Sequence, residues 1–320
     1  MQRLSSPLEA LKPAYDVVVV GSGYGGGVAA SRLARAGLSV CVIERGREFL
    51  TGEFPARLPE LRRELQIVGE KMRSGRRTGL FDFRLGSDIH VLIGCGLGGG
   101  SLINAAVGLR PDARVFADAV WPGEVREDGL LDQGFARART MLRPTRYAKA
   151  SDLIKYRALE TASACFGQEP VAAPVVVSFE ATVNPAGVEQ PACTLCGDCC
   201  SGCNVGAKNT VALTYLPDAK AHGAEIFTEL TVSHVEKVDR HWRVHSNHPV
   251  LFYEWVPGSD RGLCYQHCGA FRGWRGEIAH HHPLMVGLRA GNDGRGRDRS
   301  GGHIWPRTGL RRAWLGTLQA

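Results

Sequence analysis

The feature that most constrains this chain is YDVVVVGSGYGGGVAASRLARAGLSVCVIERG, residues 15–46, where the hydrophobic period changes twice within one short stretch. Residues 15–20 are an apolar, β-branched run of the kind needed by a strand buried on both faces. Gly21, Gly23 and Gly26 follow as G-x-G-x-x-G, and a helical pattern then puts Val28, Ala29, Leu33 and Ala34 on one apolar face. Gly37 stands where a helix C-cap is expected, and a second strand over residues 38–43 ends at Glu44. The pattern predicts a complete parallel strand–helix–strand unit.

Such a unit is suited to a dinucleotide. The first glycine allows the tight turn, the second lets backbone approach a pyrophosphate, and the third lets helix pack on strand. The helix N-terminus offers free N–H groups and a positive dipole to phosphate. Glu44, 23 residues after Gly21, can accept hydrogen bonds from ribose hydroxyls. NAD and FAD both carry that ribose, so this unit alone leaves either open.

A second stretch, GCGLGGGSLIN at residues 94–104, has five glycines in eleven positions. Glycines this dense lose much chain entropy on ordering, which implies a packing or ligand reason for them. Val91, Leu92 and Ile93 on one side and Leu102 and Ile103 on the other argue against a flexible linker. The expectation is a second backbone surface against a large flat cofactor, with Ser101 and Asn104 at its polar edge.

Together the two stretches resemble the glucose-methanol-choline (GMC) oxidoreductases, FAD-dependent alcohol oxidases and dehydrogenases; every position of GCGLGGGSLIN fits that family's first signature. The segments GLFDFR at 79–84 and WPGEVREDGLLDQGFARARTML at 121–142 are most similar to the cholesterol oxidase-like branch, and the likeness covers about residues 14–245. The resemblance implies an α/β, Rossmann-like FAD-binding domain: a doubly wound parallel sheet with a β-meander, plus the start of an incomplete substrate domain. It implies that Gly21, Gly23, Tyr24, Gly25, Gly26 and Glu44 hold the adenosine end of an extended FAD. Gly98, Gly99, Gly100, Ser101, Asn104 and Ala105 would lie along pyrophosphate and flavin, and Val235 would meet the adenine through its backbone. The implied reaction is hydride transfer from the carbon of a sterol-like or other bulky alcohol to flavin N5.

PACTLCGDCCSGCNVGAKNT, residues 191–210, lies within a cysteine-rich loop at 191–206. Cys193, Cys196, Cys199 and Cys203 give C-x2-C-x2-C-x3-C, the bacterial ferredoxin spacing, with Asn204 where those proteins have proline. Gly197 and Gly202 permit the turns that such a site needs. A 4Fe-4S cluster, a structural zinc and a metal-free loop over the flavin domain are the open readings. With a cluster, electrons would pass to a redox protein or quinone; without one, dioxygen is the expected acceptor.

The formal charge of +7 suggests nucleic acid until it is divided. Residues 1–240 hold 28 basic and 27 acidic residues, and residues 241–320 hold 11 and 5. The main body is therefore nearly neutral, and no nucleic-acid partner is expected for it. The last quarter has eight of the eleven histidines, five of the six tryptophans and no lysine. Residues 246–320 read as a basic tail or as out-of-frame sequence, the abrupt change of composition favouring the second, and not as a folded domain beside the cofactor-binding region 1–245. No apolar run is long enough for a signal peptide or a membrane span, so the expected location is cytoplasmic.

In relatives the catalytic base is a histidine near the end of a much longer chain. His280, His281 and His282 lie in sequence without a periodic element to hold them, so no catalytic residue is nominated and turnover by this chain alone is not expected. Two rivals remain: an NAD(P)-dependent dehydrogenase using the first motif only, and a non-catalytic cofactor-binding remnant with a basic tail.

Overall fold

In the computed structural model, which describes residues 2–123, 129–246 and the strand Leu263–Gln266, β1 (Val17–Val20) is central to a four-stranded parallel sheet. Its neighbours are β2 (Val40–Ile43) and β12 (Leu263–Gln266), and β9 (Glu225–Phe227) lies beyond β2, giving the order β12-β1-β2-β9. Both faces of this parallel sheet are covered, so β1 is apolar on both, which explains four consecutive valines. α1 (Tyr24–Arg35) makes the crossover between β1 and β2. Beyond β12, the expectation for residues 246–320 lies outside the described residues.

Each face of this sheet has its own cover. On one face Val17, Val19, Val40, Val42 and Ile226 pack with Ala30 and Ala34 of α1 and with Leu216 and Ala219 of α6 (Tyr215–Ala221). The other face, with Tyr15, Cys41, Ile43 and Phe227, is covered by Leu8, Leu11, Val232 and Val244. The last two belong to an antiparallel hairpin, β10 (Val232–Val238) and β11 (His241–Ser246). Arg35 and Ser31 donate to the Asp218 carboxylate, stapling α1 to α6.

Two local expectations change here. Val28 is 37% exposed, and Ala30 and Ser31 take the buried face with Ala34, because helix α6 crosses α1 where only small side chains fit. The alternation in AEIFTELTVSHVEKVDRHWRVH reads as two or three antiparallel strands; its later part is the antiparallel hairpin, but AEIFTEL contributes β9 in parallel to β2, since α6 carries the chain back across the sheet. The C-cap matches expectation: Gly37 has positive φ, and its N–H and that of Leu38 donate to Ala34 and Leu33 carbonyls as in a Schellman motif.

A second, mixed sheet has the order β4-β3-β5-β6, from Arg73–Gly75, Leu65–Val68, Phe81–Leu85 and His90–Gly94. Phe49, Phe54, Leu80, Phe81, Leu102 and Ile103 form its core. Strand β6 ends in the second glycine stretch and so delivers it to the neighbourhood of β1. Among the described residues no helix is long and apolar enough to cross a membrane.

Candidate functional site

The first turn behaves as its glycine spacing requires. Gly21 has positive φ and donates to Ile43 O at 2.7 Å, holding the end of β1 to that of β2. A Cβ on Gly26 would lie 1.9 Å from the Gly21 carbonyl oxygen, so α1 can start here only with glycine. Gly23 is different: a Cβ there would meet nothing within 4 Å. It is the N-cap of α1, and the first turn has neither a side-chain cap nor an acidic residue. Its N–H groups therefore stay available to an anion.

Glu44 stands at the expected end of β2, buried, with both oxygens already engaged by the protein. Oε2 accepts from the Ser22 N–H at 2.9 Å and the Ser22 hydroxyl at 2.6 Å; Oε1 accepts from the Gly46 N–H at 2.8 Å. The Ser22 hydroxyl in turn accepts from the Gly98 N–H at 2.9 Å. One serine thus ties the first turn, the end of β2 and the second glycine stretch together. Glu44 can still accept from a ribose through remaining lone pairs, but its visible work is to hold Ser22.

The second stretch is folded largely upon itself. Gly98 has positive φ and opens a 3-10 turn over Gly99–Leu102. A Cβ on Gly94 would lie 2.5 Å from Gly99 O, and one on Gly99 would lie 2.8 Å from Gly23 Cα. The two glycine stretches therefore touch, backbone to backbone, at Gly23 and Gly99. Gly100 is exposed, and a Cβ there would meet nothing within 4 Å.

Of the two side chains placed at the polar edge, Ser101 is turned inward. Fully buried, it donates to Gly98 O at 2.6 Å and accepts from Val211 N–H at 3.0 Å, which fixes the 3-10 turn to the start of the α6 region. Asn104 faces the first turn: its amide donates to Tyr24 Oη at 2.9 Å and its carbonyl oxygen accepts from Ala106 N–H at 3.1 Å. Ala105 is exposed beside it. Val235 lies in the outer hairpin, opposite Val244.

Among the described residues no three Cys, His, Asp or Glu side chains gather as a metal site. Cys193 and Cys199 pack against Ala106, Val176, Val177 and Ala207 and Cys196 is exposed; the Cys199 thiol is near enough to those of Cys193, Cys196 and Cys203 to feel their charge, without the four closing into a metal site. The expected turns are present, with positive φ at Gly197 and Gly202. Asn204, standing where ferredoxins have proline, makes two hydrogen bonds with the backbone of Phe54, at 2.9 and 3.0 Å. The loop is secured by its neighbours.

Two residues with structural command over the site were missed from the sequence. Ser22 gives no signal beyond a small polar residue between glycines. Lys208 gives one: it is the single charged residue in the run 199–217. It is 1% exposed, and its Nζ donates to Asn104 O at 2.7 Å, Cys199 O at 2.9 Å and Leu102 O at 3.1 Å. Burial pulls its pKa down to about 8, against the opposing pull of the Cys199, Cys200 and Cys203 thiols.

Open backbone at Gly23 and Gly100, an uncapped helix N-terminus and the Gly23–Gly99 contact make a cradle that fits a dinucleotide's pyrophosphate. The profile of the GMC oxidoreductases matches residues 15–246. A cholesterol oxidase of Mycobacterium tuberculosis is 34% identical over 255 residues, covering 73% of this chain and 42% of its own. A cholesterol oxidase of Acinetobacter baumannii is 28% identical over 238 residues, covering 70% and 42%. The long-chain-alcohol oxidase FAO4B of Arabidopsis thaliana is 28% identical over 227 residues, covering 70% and 27%. This chain thus spans less than half the length of these relatives. With both glycine stretches inside the matched segment and joined in space, the chain belongs to the GMC oxidoreductase family.

Proposed function

We propose that this chain binds FAD across the two touching glycine stretches, as the cofactor-binding part of an enzyme that oxidises the CH–OH group of a bulky, sterol-like alcohol. The observation that carries this reading is the contact between Gly23 and Gly99 beside an uncapped α1, with open backbone on both stretches. The names of the relatives support the substrate class and favour dioxygen over a redox protein or quinone as acceptor.

In this reading the N–H groups of residues 23–26 bind the pyrophosphate, Glu44 takes the ribose, and residues 98–100 with Asn104 and Ala105 face the flavin end. Val235 is assigned to the adenine. When bound, FAD supplies the hydride acceptor for an alcohol carbon. The chain's own contribution is position. Ser22 locks the two stretches in register, and Asn104 holds Tyr24 across the start of α1. No residue of this chain is assigned as the base that takes the hydroxyl proton.

Purification of the full chain tests this. Yellow protein whose chromophore is released on denaturation with the mass of FAD is the expected result. Colourless protein that binds NAD(H), or no nucleotide at all, would overturn it in favour of the dehydrogenase or the remnant reading. A shift in the absorption spectrum of the bound flavin on adding cholesterol, which needs binding but no turnover, tests the substrate class separately.

A further inference from the structure

Lys208 spends a buried positive charge entirely on backbone. Its three N–H donors meet three carbonyls, two in the second glycine stretch, at Leu102 and Asn104, and one in the cysteine loop, at Cys199. A buried ammonium is costly unless fully hydrogen-bonded, so displacing either segment would leave a charged donor without its acceptor. The three carbonyls are therefore held at a fixed spacing. Leu102 and Asn104 flank the exposed edge at Gly100 and Ala105, which the flavin reading assigns to the cofactor. Cys199 sits among thiols of graded exposure, with Cys196 and Cys200 open and Cys203 half-buried.

From this geometry we infer that Lys208 is a positioning residue that couples the second glycine stretch to the cysteine loop, so that FAD binding and exposure of the loop's thiols form one linked equilibrium. The inference rests on the flavin reading above and adds to it a second site. Immobilising residues 98–105 fixes two of the Lys208 acceptors and, through the ammonium, the third at Cys199. Opening of the cysteine loop then becomes rarer. Because linkage is reciprocal, modification of the loop weakens FAD binding by the same factor that FAD protects the loop.

The test labels the full chain with N-ethylmaleimide, with and without saturating FAD, and follows each cysteine by peptide mass spectrometry. Cys165, exposed at the end of the helix Ile154–Ala164, is the internal reference. The expected result is labelling of Cys199 and Cys203 slowed roughly 5- to 10-fold by FAD, within the ordinary range of coupling between sites, with Cys165 unchanged. Pre-alkylated chain should bind FAD weaker by a matching factor. In Lys208→Met, checked for native circular dichroism, protection by FAD should disappear. FAD binding without protection of Cys199 and Cys203 in the unmutated chain, or full protection retained in a folded Lys208→Met, would overturn the coupling while leaving the flavin reading intact. No FAD binding by the unmutated chain overturns both. Where Lys208→Met does not fold, absence of protection in the unmutated chain still overturns the coupling, and Lys208→Arg, which keeps the charge but not the spacing of the three donors, takes the variant's place with reduced protection expected and full protection contradicting it.

Discussion

In the first glycine turn, Gly26 is closed in by the Gly21 carbonyl while Gly23, three residues earlier, faces open space. In the second stretch closure dominates: Cβ atoms at Gly94, Gly96, Gly98 and Gly99 would all press on the protein, and Gly100 alone of the five borders open space. The denser stretch is thus the one whose glycines serve the chain more and the ligand less. Glycine density there measures how tightly strand β6, the 3-10 turn and the start of α1 are folded together. The product of that packing is a thin, fixed backbone edge at Gly100 and Ala105, held where the first turn leaves its own gap at Gly23.

The largest effect is expected at Gly26. With the Gly21 oxygen 1.9 Å from the added carbon, Gly26→Ala must move backbone. It should destabilise the chain by about 3 kcal/mol or more, at the upper end of overpacking costs. Urea unfolding measures this directly, and a midpoint equal to that of the unmutated chain would mean that helix and strand are not packed as described.

A smaller effect is expected at Ser22. Ser22→Ala removes the hydroxyl's bonds to Glu44 and to Gly98, leaving a buried carboxylate oxygen and a buried N–H each short of a partner. A loss of about 1–3 kcal/mol follows, together with weaker FAD binding as the two stretches slip. Unchanged stability would show that the stretches are held together by packing alone.

At the far end of α1, Asp218 gives a control that should leave the cradle alone. Burial pushes its pKa up, but hydrogen bonds from Arg35 and Ser31, with His222 nearby, outweigh this and hold it below the usual carboxylate range. A depressed folded pKa means that the stabilisation is present above the unfolded pKa near 4 and fades as pH falls below it. Asp218→Asn should cost about 1–2 kcal/mol at neutral pH. Thermal melts should show that gap narrowing below about pH 4, with FAD binding at neutral pH untouched. A gap that stays constant down to pH 3 would contradict the assignment.

What the sequence makes legible is whatever depends on near neighbours. The valine run, the spacing of Gly21, Gly23 and Gly26, and the cap at Gly37 all act within a few residues, and their roles follow from pattern. The 3.6-residue period found α1 but gave its buried face to Val28, because the small-residue contact with α6 is made about 190 residues away along the chain. Ser101 looked like a ligand-facing hydroxyl for the same reason: its partner, Val211, lies far along the sequence. The cysteine spacing is local and correct as a pattern of turns, yet it says nothing of the apolar cluster around Ala106 and Val177 that receives Cys193 and Cys199. Lys208 shows the limit most clearly, since a lone lysine in an uncharged run signals burial without naming the three carbonyls that justify it.

Gly23 is open for the ligand and for nothing else, and titration of FAD into Gly23→Ala measures that. The new methyl group meets no protein atom within 4 Å. Stability should therefore fall by no more than about 1 kcal/mol, the scale of an N-cap change from glycine to alanine. FAD affinity should fall about 100-fold, near 3 kcal/mol, because the methyl occupies the space of the pyrophosphate. A Gly23→Ala chain that binds FAD as tightly as the unmutated one would contradict the cradle formed by the two stretches.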